Sequence, residues 1–317
     1  MKKSEVSIVF LGTPEFAIPS LRMLVEEGYD VKAVITQPDR PKGRGHKMIP
    51  TPVKEEAERL GLPVYQFEAL RKEGLELLRE ISPKLMITAA YGQILSKAVL
   101  AVPELGTINV HGSLLPRYRG AAPIEWAVIN GEEKTGVTTM FTVRALDAGD
   151  MLEQDELAIE DDDTGGSVRE KLSYVGRDTL KRTLEKLLDG TLERKAQDET
   201  EVTYAPQFEK GFGHIDFDKE TKEICDLIRG INPEPGAYSF LKDGTKFKVM
   251  FARAADVSDD AVPGTILEAD DRSGLIIKTK DGAVRLMRIV YPGGREMADS
   301  DFLRGRRNVF IKGEALD

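Results

Sequence analysis

The chain has 317 residues, a length that predicts two domains, each with a hydrophobic core of its own. Hydrophobic residues make up 41% of it and charged residues 31%, and no apolar run approaches the roughly 18 residues that a membrane span needs. The net charge of −9 argues against indiscriminate nucleic-acid binding, because the field of the whole protein repels phosphate.

The first half of the chain alternates between strand-like and helix-like runs. Thr51 before Pro52 is a helix-start signal, with Thr51 as the N-cap. Apolar, β-branched runs predict strands at 6–11, 31–36, 85–89, 107–110 and 136–143. Helical spacing or start signals predict helices at 18–27, 52–60, 123–130 and 167–189. This βαβ rhythm indicates an α/β domain, a Rossmann-like, mainly parallel sheet with helices on both faces.

The pattern changes after the long helix. Residues 194–208 are polar and weakly periodic, and we interpret them as a linker between a catalytic domain at 1–193 and a second domain at 209–317. A helix at 224–229 then precedes short alternating runs separated by turn pairs such as Asp243-Gly244. These runs predict a small antiparallel β-barrel.

Cysteine content and the start of the chain bear on the compartment. The single Cys225 argues against an internal disulfide and against a zinc site built on several thiolates, and we expect it to pack within a helix. A strand begins soon after Met1, which fits neither a signal peptide nor a transit peptide. We therefore expect a cytoplasmic protein. We also expect it to be a monomer.

The common nucleotide-binding signatures do not occur. The turn after the first strand, residues 12–17, lacks G-x-G-x-x-G spacing, and no G-x-x-x-x-G-K-[ST] loop follows anywhere. A dinucleotide cofactor and a P-loop nucleotide are therefore both disfavoured. The sheet would share only its topology with nucleotide-binding folds.

The strand at 107–110 leads to the most informative side chains. Asn109 and His111 stand two residues apart at its carboxyl end, so alternation puts both on one face of the sheet. An amide can donate a hydrogen bond to an oxyanion, and an imidazole can accept and return a proton. Asp147 supplies a carboxylate that could orient the imidazole. Each residue could singly be a turn, cap or packing residue, but together they indicate acyl transfer.

A cationic stretch lies between Pro38 and Lys54. Its basic residues, set against the single acid Asp39, are Arg40, Lys42, Arg44, Lys47 and Lys54. Its glycines and prolines predict a long exposed loop without regular structure. From composition, a surface loop with solubilising charge is the simpler interpretation. We expect His46, within it, to be a surface residue, and His214 to be structural.

A specific resemblance is carried by residues 108–123 (INVHGSLLPRYRGAAP) and 146–151 (LDAGDM). Both stretches resemble the formyltetrahydrofolate-dependent formyltransferases. Residues 10–17 (FLGTPEFA), 36–45 (TQPDRPKGRG) and 89–95 (AAYGQIL) are similar to the members that formylate methionyl-tRNA. The resemblance extends over essentially the whole chain.

The resemblance implies transfer of a formyl group from 10-formyltetrahydrofolate to the α-amine of initiator methionyl-tRNA, for translation initiation. It implies that Asn109, His111 and Asp147 are catalytic. By the same match the folate-binding residues are Ser113, Leu114, Leu115, Pro116, Tyr91, Gly92 and Ile94. The residues that correspond to a basic insertion engaging the tRNA acceptor stem are Arg40, Lys42, Arg44 and Lys47. The C-terminal domain corresponds to an OB-like barrel that helps to hold the tRNA. No metal or tightly bound cofactor is expected, since the folate is a cosubstrate.

Three alternatives stay open. A formyltransferase of the same fold acting on a sugar amine or a purine precursor would not need the basic stretch or the terminal barrel. An enzyme that hydrolyses the formyl donor would need no amine substrate. A tRNA-binding protein without activity would have no use for Asn109, His111 and Asp147.

Overall fold

The computed structural model describes residues 1–42, 47–306 and 308–317. They form two compact units. Unit 1 consists of Met1–Pro123, Lys134–Ala158 and Arg169–Pro206, and unit 2 of Ile124–Glu133, Ile159–Val168 and Gln207–Asp317. The domain limits from the sequence stay a prediction, because each unit is assembled from three stretches of chain.

The secondary structure follows the predicted alternation. The strands are β1 (Ser7–Gly12), β2 (Asp30–Thr36), β3 (Arg40–Lys42), β4 (Lys47–Ile49), β5 (Val64–Gln66), β6 (Leu85–Ala89), β7 (Thr107–His111), β8 (Arg119–Gly120), β9 (Lys134–Phe141), β10 (Met151–Ala158), β11 (Tyr204–Ala205), β12 (Ala237–Phe240), β13 (Lys246–Ala255), β14 (Ile266–Asp270), β15 (Gly274–Lys278), β16 (Ala283–Val290) and β17 (Met297–Ala298). The α-helices are α1 (Ile18–Glu26), α2 (Pro52–Arg59), α3 (Leu70–Glu73), α4 (Leu75–Ile81), α5 (Lys97–Leu100), α6 (Pro123–Ile129), α7 (Gly165–Asp189), α8 (Thr221–Gly230) and α9 (Asp299–Gly305).

Unit 1 is built on one sheet with the strand order β10-β9-β7-β6-β1-β2-β5. Its pairs are parallel except for β7 with β9 and β9 with β10. The central strand β6 is buried along its whole length, as in a sheet covered on both faces. The predicted mainly parallel α/β fold is confirmed. The strand β10 was not predicted, because its sequence is charged along an edge of the sheet.

Unit 2 contains an antiparallel sheet with the order β12-β13-β16-β15-β14. The end of the chain bonds to both of its edges. The backbones of Phe240, the last residue of β12, and Asp317 exchange two hydrogen bonds of 3.1 Å, and Ile266 of β14 donates to the carbonyl of Glu314 at 2.8 Å. The C-terminal residues therefore bond to both edge strands of this antiparallel sheet, which is consistent with the predicted barrel.

Cys225 lies in α8 and packs against the hydrophobic core of unit 2. Burial raises the pKa of its thiol to about 11, so it is protonated at neutral pH. The prediction of a packing residue within a helix is confirmed.

A buried carboxylate links α1 to α2. Glu56 accepts hydrogen bonds from Arg22 at 2.6 and 2.9 Å and from Arg59 at 3.0 and 2.6 Å. These guanidinium groups lower the pKa of Glu56 to about 2. A carboxyl group with a lowered folded-state pKa adds stability above its unfolded pKa of roughly 4.3, and this stability is lost as the pH falls toward 2.

We expect Glu56→Gln to lower the free energy of unfolding at pH 7 by about 1.5–3 kcal/mol, the usual contribution of hydrogen bonds to a charged group. The difference in free energy of unfolding between this variant and the wild type should narrow progressively below pH 4.5. Urea unfolding from pH 7 to pH 3.5 measures it, with Glu58→Gln, an exposed position of the same helix, as the control. A difference that stays constant over this range would contradict the assignment to the ionised carboxylate.

Candidate active site

The strand β7 carries Asn109 and His111 on one face of the sheet of unit 1. His111 is buried, and its Nε2 lies 3.0 Å from the carbonyl oxygen of Tyr118. A carbonyl oxygen only accepts, so Nε2 is the donor in this hydrogen bond. The opposite ring nitrogen, Nδ1, lies 3.8 Å from Oδ2 of Asp147. That separation is longer than a hydrogen bond, which leaves the Nδ1 side as the approach for a reacting group.

Asp147 is held on both its side chain and its backbone. The carboxylate Oδ2 accepts from the backbone N–H of Gly120 at 2.8 Å, and the carbonyl oxygen accepts from Nε2 of Gln197 at 2.7 Å. Its φ of +45° lies in the left-handed region, which an aspartate tolerates at some cost. The fold therefore maintains an unusual backbone here, with the carboxylate beside the imidazole.

Gly120 sits where a side chain would not fit. Its φ is +133°, and a Cβ would come within 2.4 Å of the carbonyl oxygen of Ala205. The close approach arises because β8 pairs with β11. The residue before it, Arg119, is buried and donates from Nε to Oε1 of Gln197 at 3.0 Å. A short two-stranded sheet thus supports the Asp147 carboxylate.

The side-chain amide of Asn109 is oriented from the neighbouring strand. Thr88 of β6 donates from Oγ1 to Oδ1 of Asn109 at 2.8 Å. Among the described residues, none accepts a hydrogen bond from the Nδ2 of this half-buried side chain. The amide nitrogen can therefore donate to an oxyanion of a substrate.

The loop that follows His111 is fixed by buried hydrogen bonds. Oγ of Ser113 donates to the carbonyl of Arg117 at 2.7 Å. Oγ1 of Thr138 donates to the carbonyl of Ser113 at 2.7 Å and accepts from the N–H of Leu115 at 3.1 Å. Gln154 donates to the carbonyl of Leu115 at 2.8 Å. The backbone is therefore rigid at the first predicted folate-binding segment.

The side chains of that segment face inward to differing extents. Ser113, Leu115 and Pro116 are buried, with Leu115 packed against two methionines of unit 1. Leu114 is half-buried and lies close to Gly136, where a Cβ would meet it at 2.4 Å. The segment therefore presents backbone more than side chain.

The second predicted folate-binding segment follows β6. Tyr91 is buried in the hydrophobic core of unit 1, and its carbonyl oxygen accepts from Thr13 at 2.9 Å and from Gln37 at 3.2 Å. Burial raises the pKa of its phenol. Gly92 has a φ of +85°, and Ile94 is 81% exposed. Of these three residues, only Ile94 places its side chain at the surface.

The basic stretch is ordered differently from the expectation. Its described ends, β3 and β4, pair as an antiparallel hairpin. The prediction of irregular structure was therefore wrong for these residues. The pairing satisfies the backbone hydrogen-bonding groups of both strands, which local composition does not reveal. The guanidinium of Arg40 pairs with Glu68 at 2.6 and 3.1 Å, and Lys47 is exposed. Lys42 lies in β3, while Arg44 and His46 fall outside the described residues.

Lys54, at the end of the basic stretch, is engaged within unit 1. Its Nζ lies 2.7 Å from the carboxylate of Asp39 and 3.0 Å from Oε1 of Gln66. The ammonium group lowers the pKa of Asp39. Lys54 therefore supports the base of the hairpin.

Two supporting residues escaped the sequence analysis. Thr88 could have been noticed as a polar residue near the end of an apolar strand. Gln197 had no such signal, because it lies in the segment interpreted as a linker. Each acts on a predicted site residue from far along the chain.

No group of three or more His, Cys, Asp or Glu side chains within 1–42, 47–306 and 308–317 is arranged to hold a metal ion. Among the helices in these same ranges, none is long and apolar enough to cross a membrane.

Comparison with known families identifies the class of protein. The formyl transferase family matches residues 6–184, and the formyl transferase C-terminal domain family matches residues 207–307. The first match covers more than half of the chain and includes Asn109, His111 and Asp147. The chain therefore belongs to the formyl transferase family.

Individual relatives narrow the class. The methionyl-tRNA formyltransferase of Ruminiclostridium cellulolyticum is 47% identical over 98% of this chain and 99% of its own length. That of Caldanaerobacter subterraneus is 47% identical over 94% of this chain and 96% of its own length. Both relatives extend through the two units.

Among solved structures, an N-formyltransferase from Helicobacter canadensis in complex with folinic acid and dTDP-3-aminofucose gives a TM-score of 0.67 at 19% identity, covering 92% of this chain and all of that one. HypX from Aquifex aeolicus with tetrahydrofolic acid gives 0.66 at 18%, covering 98% of this chain and 50% of that one. These likenesses show the fold.

Proposed function

We propose that this chain transfers a formyl group from 10-formyltetrahydrofolate to the α-amine of methionine on initiator tRNA, in the cytoplasm. The observation that carries the proposal is the similarity, over nearly the whole chain, to methionyl-tRNA formyltransferases. It is supported by the position of Asn109 two residues before His111 on β7 and by the 3.8 Å between His111 and Asp147. In this proposal unit 1 performs the chemistry and unit 2 helps to hold the tRNA.

The reaction exchanges one amide nitrogen for another. The amine attacks the formyl carbon, and a new C–N bond forms as the carbonyl oxygen gains negative charge. The bond from carbon to N10 of the folate then breaks, and a proton passes from the attacking nitrogen to N10. An α-amine titrates near pH 8, at about 7.7–8.0 in short peptides, so a part of it is already neutral at pH 7.

In this proposal the Nδ2 of Asn109 donates a hydrogen bond to the developing oxyanion and stabilises it. Thr88 orients this amide before substrate binds, so the donor needs little reorganisation during the reaction. The buried His111, oriented by the hydrogen bond from Nε2 to the carbonyl of Tyr118, takes the proton from the attacking nitrogen. The carboxylate of Asp147, 3.8 Å from Nδ1, stabilises the charged form of the imidazole.

For the folate we propose the segment Ser113 to Pro116, together with Tyr91, Gly92 and Ile94. The rigid backbone after His111 supplies fixed hydrogen-bonding groups, and the exposed Ile94 supplies an apolar contact. Tyr91 would contribute through its backbone, since its side chain lies in the core.

For the tRNA we propose Arg40, Lys42 and Lys47 of the hairpin of β3 and β4, together with Arg44, which lies outside the described residues. Four phosphate contacts predict that the logarithm of affinity falls against the logarithm of salt concentration with a slope of about −3 to −4. Lys47→Ala removes one phosphate contact, so the slope should become less negative by about 1, and the KM for the folate should not change. Fluorescence titration of tRNA from 50 to 300 mM KCl measures it.

The control for this experiment is Lys134→Ala, which removes an exposed lysine that pairs with Glu156 on an edge strand of unit 1. An unchanged slope for Lys47→Ala would remove Lys47 from the RNA contacts.

The function itself is tested by formyl transfer from 10-formyltetrahydrofolate to three acceptors: charged initiator methionyl-tRNA, charged elongator methionyl-tRNA and a nucleotide-linked amino sugar. We expect transfer to the initiator alone. Transfer to the amino sugar alone would keep the site and reject the tRNA, and release of formate without transfer would indicate hydrolysis of the donor.

A further inference from the structure

We propose that Gln197 is a positioning residue that keeps Asp147 beside His111. The inference rests on the proposed function, because it assigns the positioning to that same reaction. Gln197 lies in the polar segment before β11, and its hydrogen bonds go to Arg119, Asp147 and Gly149. It acts through the backbone of the loop that carries Asp147.

The side-chain amide of Gln197 uses both of its N–H donors on this loop. Nε2 lies 2.7 Å from the carbonyl oxygen of Asp147 and 2.8 Å from that of Gly149. An amide nitrogen carries two hydrogens, so the pair of carbonyls matches its donors. One side-chain nitrogen thus holds the loop backbone at both Asp147 and Gly149, and we call this pair of hydrogen bonds the clamp.

The orientation of the amide is set from its other end. Oε1 of Gln197 accepts from Nε of Arg119 at 3.0 Å, and the guanidinium of Arg119 is buried. Because arginine only donates, Oε1 must face it and Nε2 must face the loop. Arg119 directly precedes Gly120, whose N–H holds the carboxylate of Asp147. The residues 119, 120 and 197 therefore fix both the backbone and the side chain of Asp147.

The loop needs such a clamp. Residues 142–150 form neither helix nor strand, and Asp147 has a φ of +45°. Without donors on its carbonyls this strained backbone can relax to negative φ, which redirects the carboxylate. The distance of 3.8 Å to Nδ1 of His111 then no longer holds.

Two substitutions separate the parts of this clamp. Gln197→Glu keeps the size and the acceptor for Arg119, but it turns a carboxylate oxygen toward two carbonyl oxygens. Gln197→Ala removes both the donors to the carbonyls of Asp147 and Gly149 and the acceptor for Arg119. For each we expect kcat for formyl transfer to fall by about 10- to 100-fold, the effect of a misplacement of roughly 1 Å, with the KM for tRNA nearly unchanged.

Glu199→Gln is the matched control, because Glu199 is exposed, pairs with the same Arg119 and makes no contact with the loop among the described residues. We expect less than a twofold effect. An equal loss in Glu199→Gln and Gln197→Ala would overturn the inference, since Arg119 rather than Gln197 would then determine the activity.

A double-mutant cycle tests the route of action. If Gln197 acts through Asp147, then Gln197→Ala should cost less than twofold further in an Asp147→Asn background. If the loss of kcat in the double variant equals the product of the losses in the two single variants, the inference is overturned.

A second readout does not depend on activity. The chain has only three histidines, so the imidazole ¹⁵N signals can be assigned. We expect Gln197→Ala to change the signals of His111 and to leave those of His214, which lies in unit 2. Unchanged His111 signals in a folded variant would overturn the inference. A wild-type protein without formyl transfer would overturn the proposed function instead, and the ¹⁵N spectra would still report on the clamp.

Discussion

Replacing His111 with glutamine should lower kcat for formyl transfer to methionyl-tRNA by about 10²–10⁴-fold, the usual contribution of a positioned general acid–base. Glutamine can still donate to the carbonyl of Tyr118, so the buried hydrogen bond and the loop after β7 should persist. It cannot take a proton from the attacking amine. The loss should therefore appear in kcat, with little change in the KM for either substrate.

Rapid-quench measurement of a single turnover isolates the chemical step for this variant. The matched control is His214→Gln, an exposed histidine of unit 2 that stacks on Tyr238, for which we expect wild-type turnover. Near-normal single-turnover rates in His111→Gln would show that another group moves the proton, and the assignment of Asp147 would fail with it.

Replacing Asn109 with alanine should lower kcat by about 10²–10³-fold, which corresponds to roughly 2.7–4 kcal/mol of lost oxyanion stabilisation. The side chain is only half-buried, so the fold should tolerate the change. Asn109→Asp should be at least as inactive, because a carboxylate cannot donate to a negatively charged oxygen at neutral pH. The same single-turnover assay measures both variants.

A graded variant sharpens this prediction. Thr88→Val keeps the shape of the buried side chain and removes the hydroxyl that orients the amide of Asn109. Its loss should be smaller than that of Asn109→Ala, because the amide remains but is no longer held. Asn308→Ala, an exposed asparagine of unit 2, serves as the control. A normal rate in Asn109→Ala would require a different oxyanion donor, and Thr88→Val should then also be normal.

Much of the fold could be read from local patterns. The strand predicted at 85–89 coincides with β6, and the helix predicted from Pro52 begins there because Thr51 accepts from the N–H of Lys54. These features depend on side chains close together in sequence, where hydrophobic period and capping chemistry act directly. Two of the candidate catalytic residues could be predicted from the sequence for the same reason, since Asn109 and His111 lie on one strand.

Other features depended on partners distant in sequence. The strand β10 reads as a charged segment, and its pairing with β9 supplies the backbone bonds that its own composition does not suggest. The strands β3 and β4 pair with each other, although the composition of residues 38–54, rich in glycine and proline, by itself predicts a loop. In both cases backbone hydrogen bonds, which carry no residue-specific signal, outweighed local preference.

Local sequence patterns were enough to predict the α/β class and an antiparallel β-domain at the C-terminal end, and to single out an amide, an imidazole and a carboxylate as candidates for acyl transfer. How these groups are held follows from contacts between residues distant in sequence. Thr88 orients Asn109 from the adjacent strand, and Gln197 reaches Asp147 across 50 positions of the chain. Such contacts join short polar side chains to specific atoms, and their geometry exists only after the sheet has brought those atoms within about 3 Å of each other.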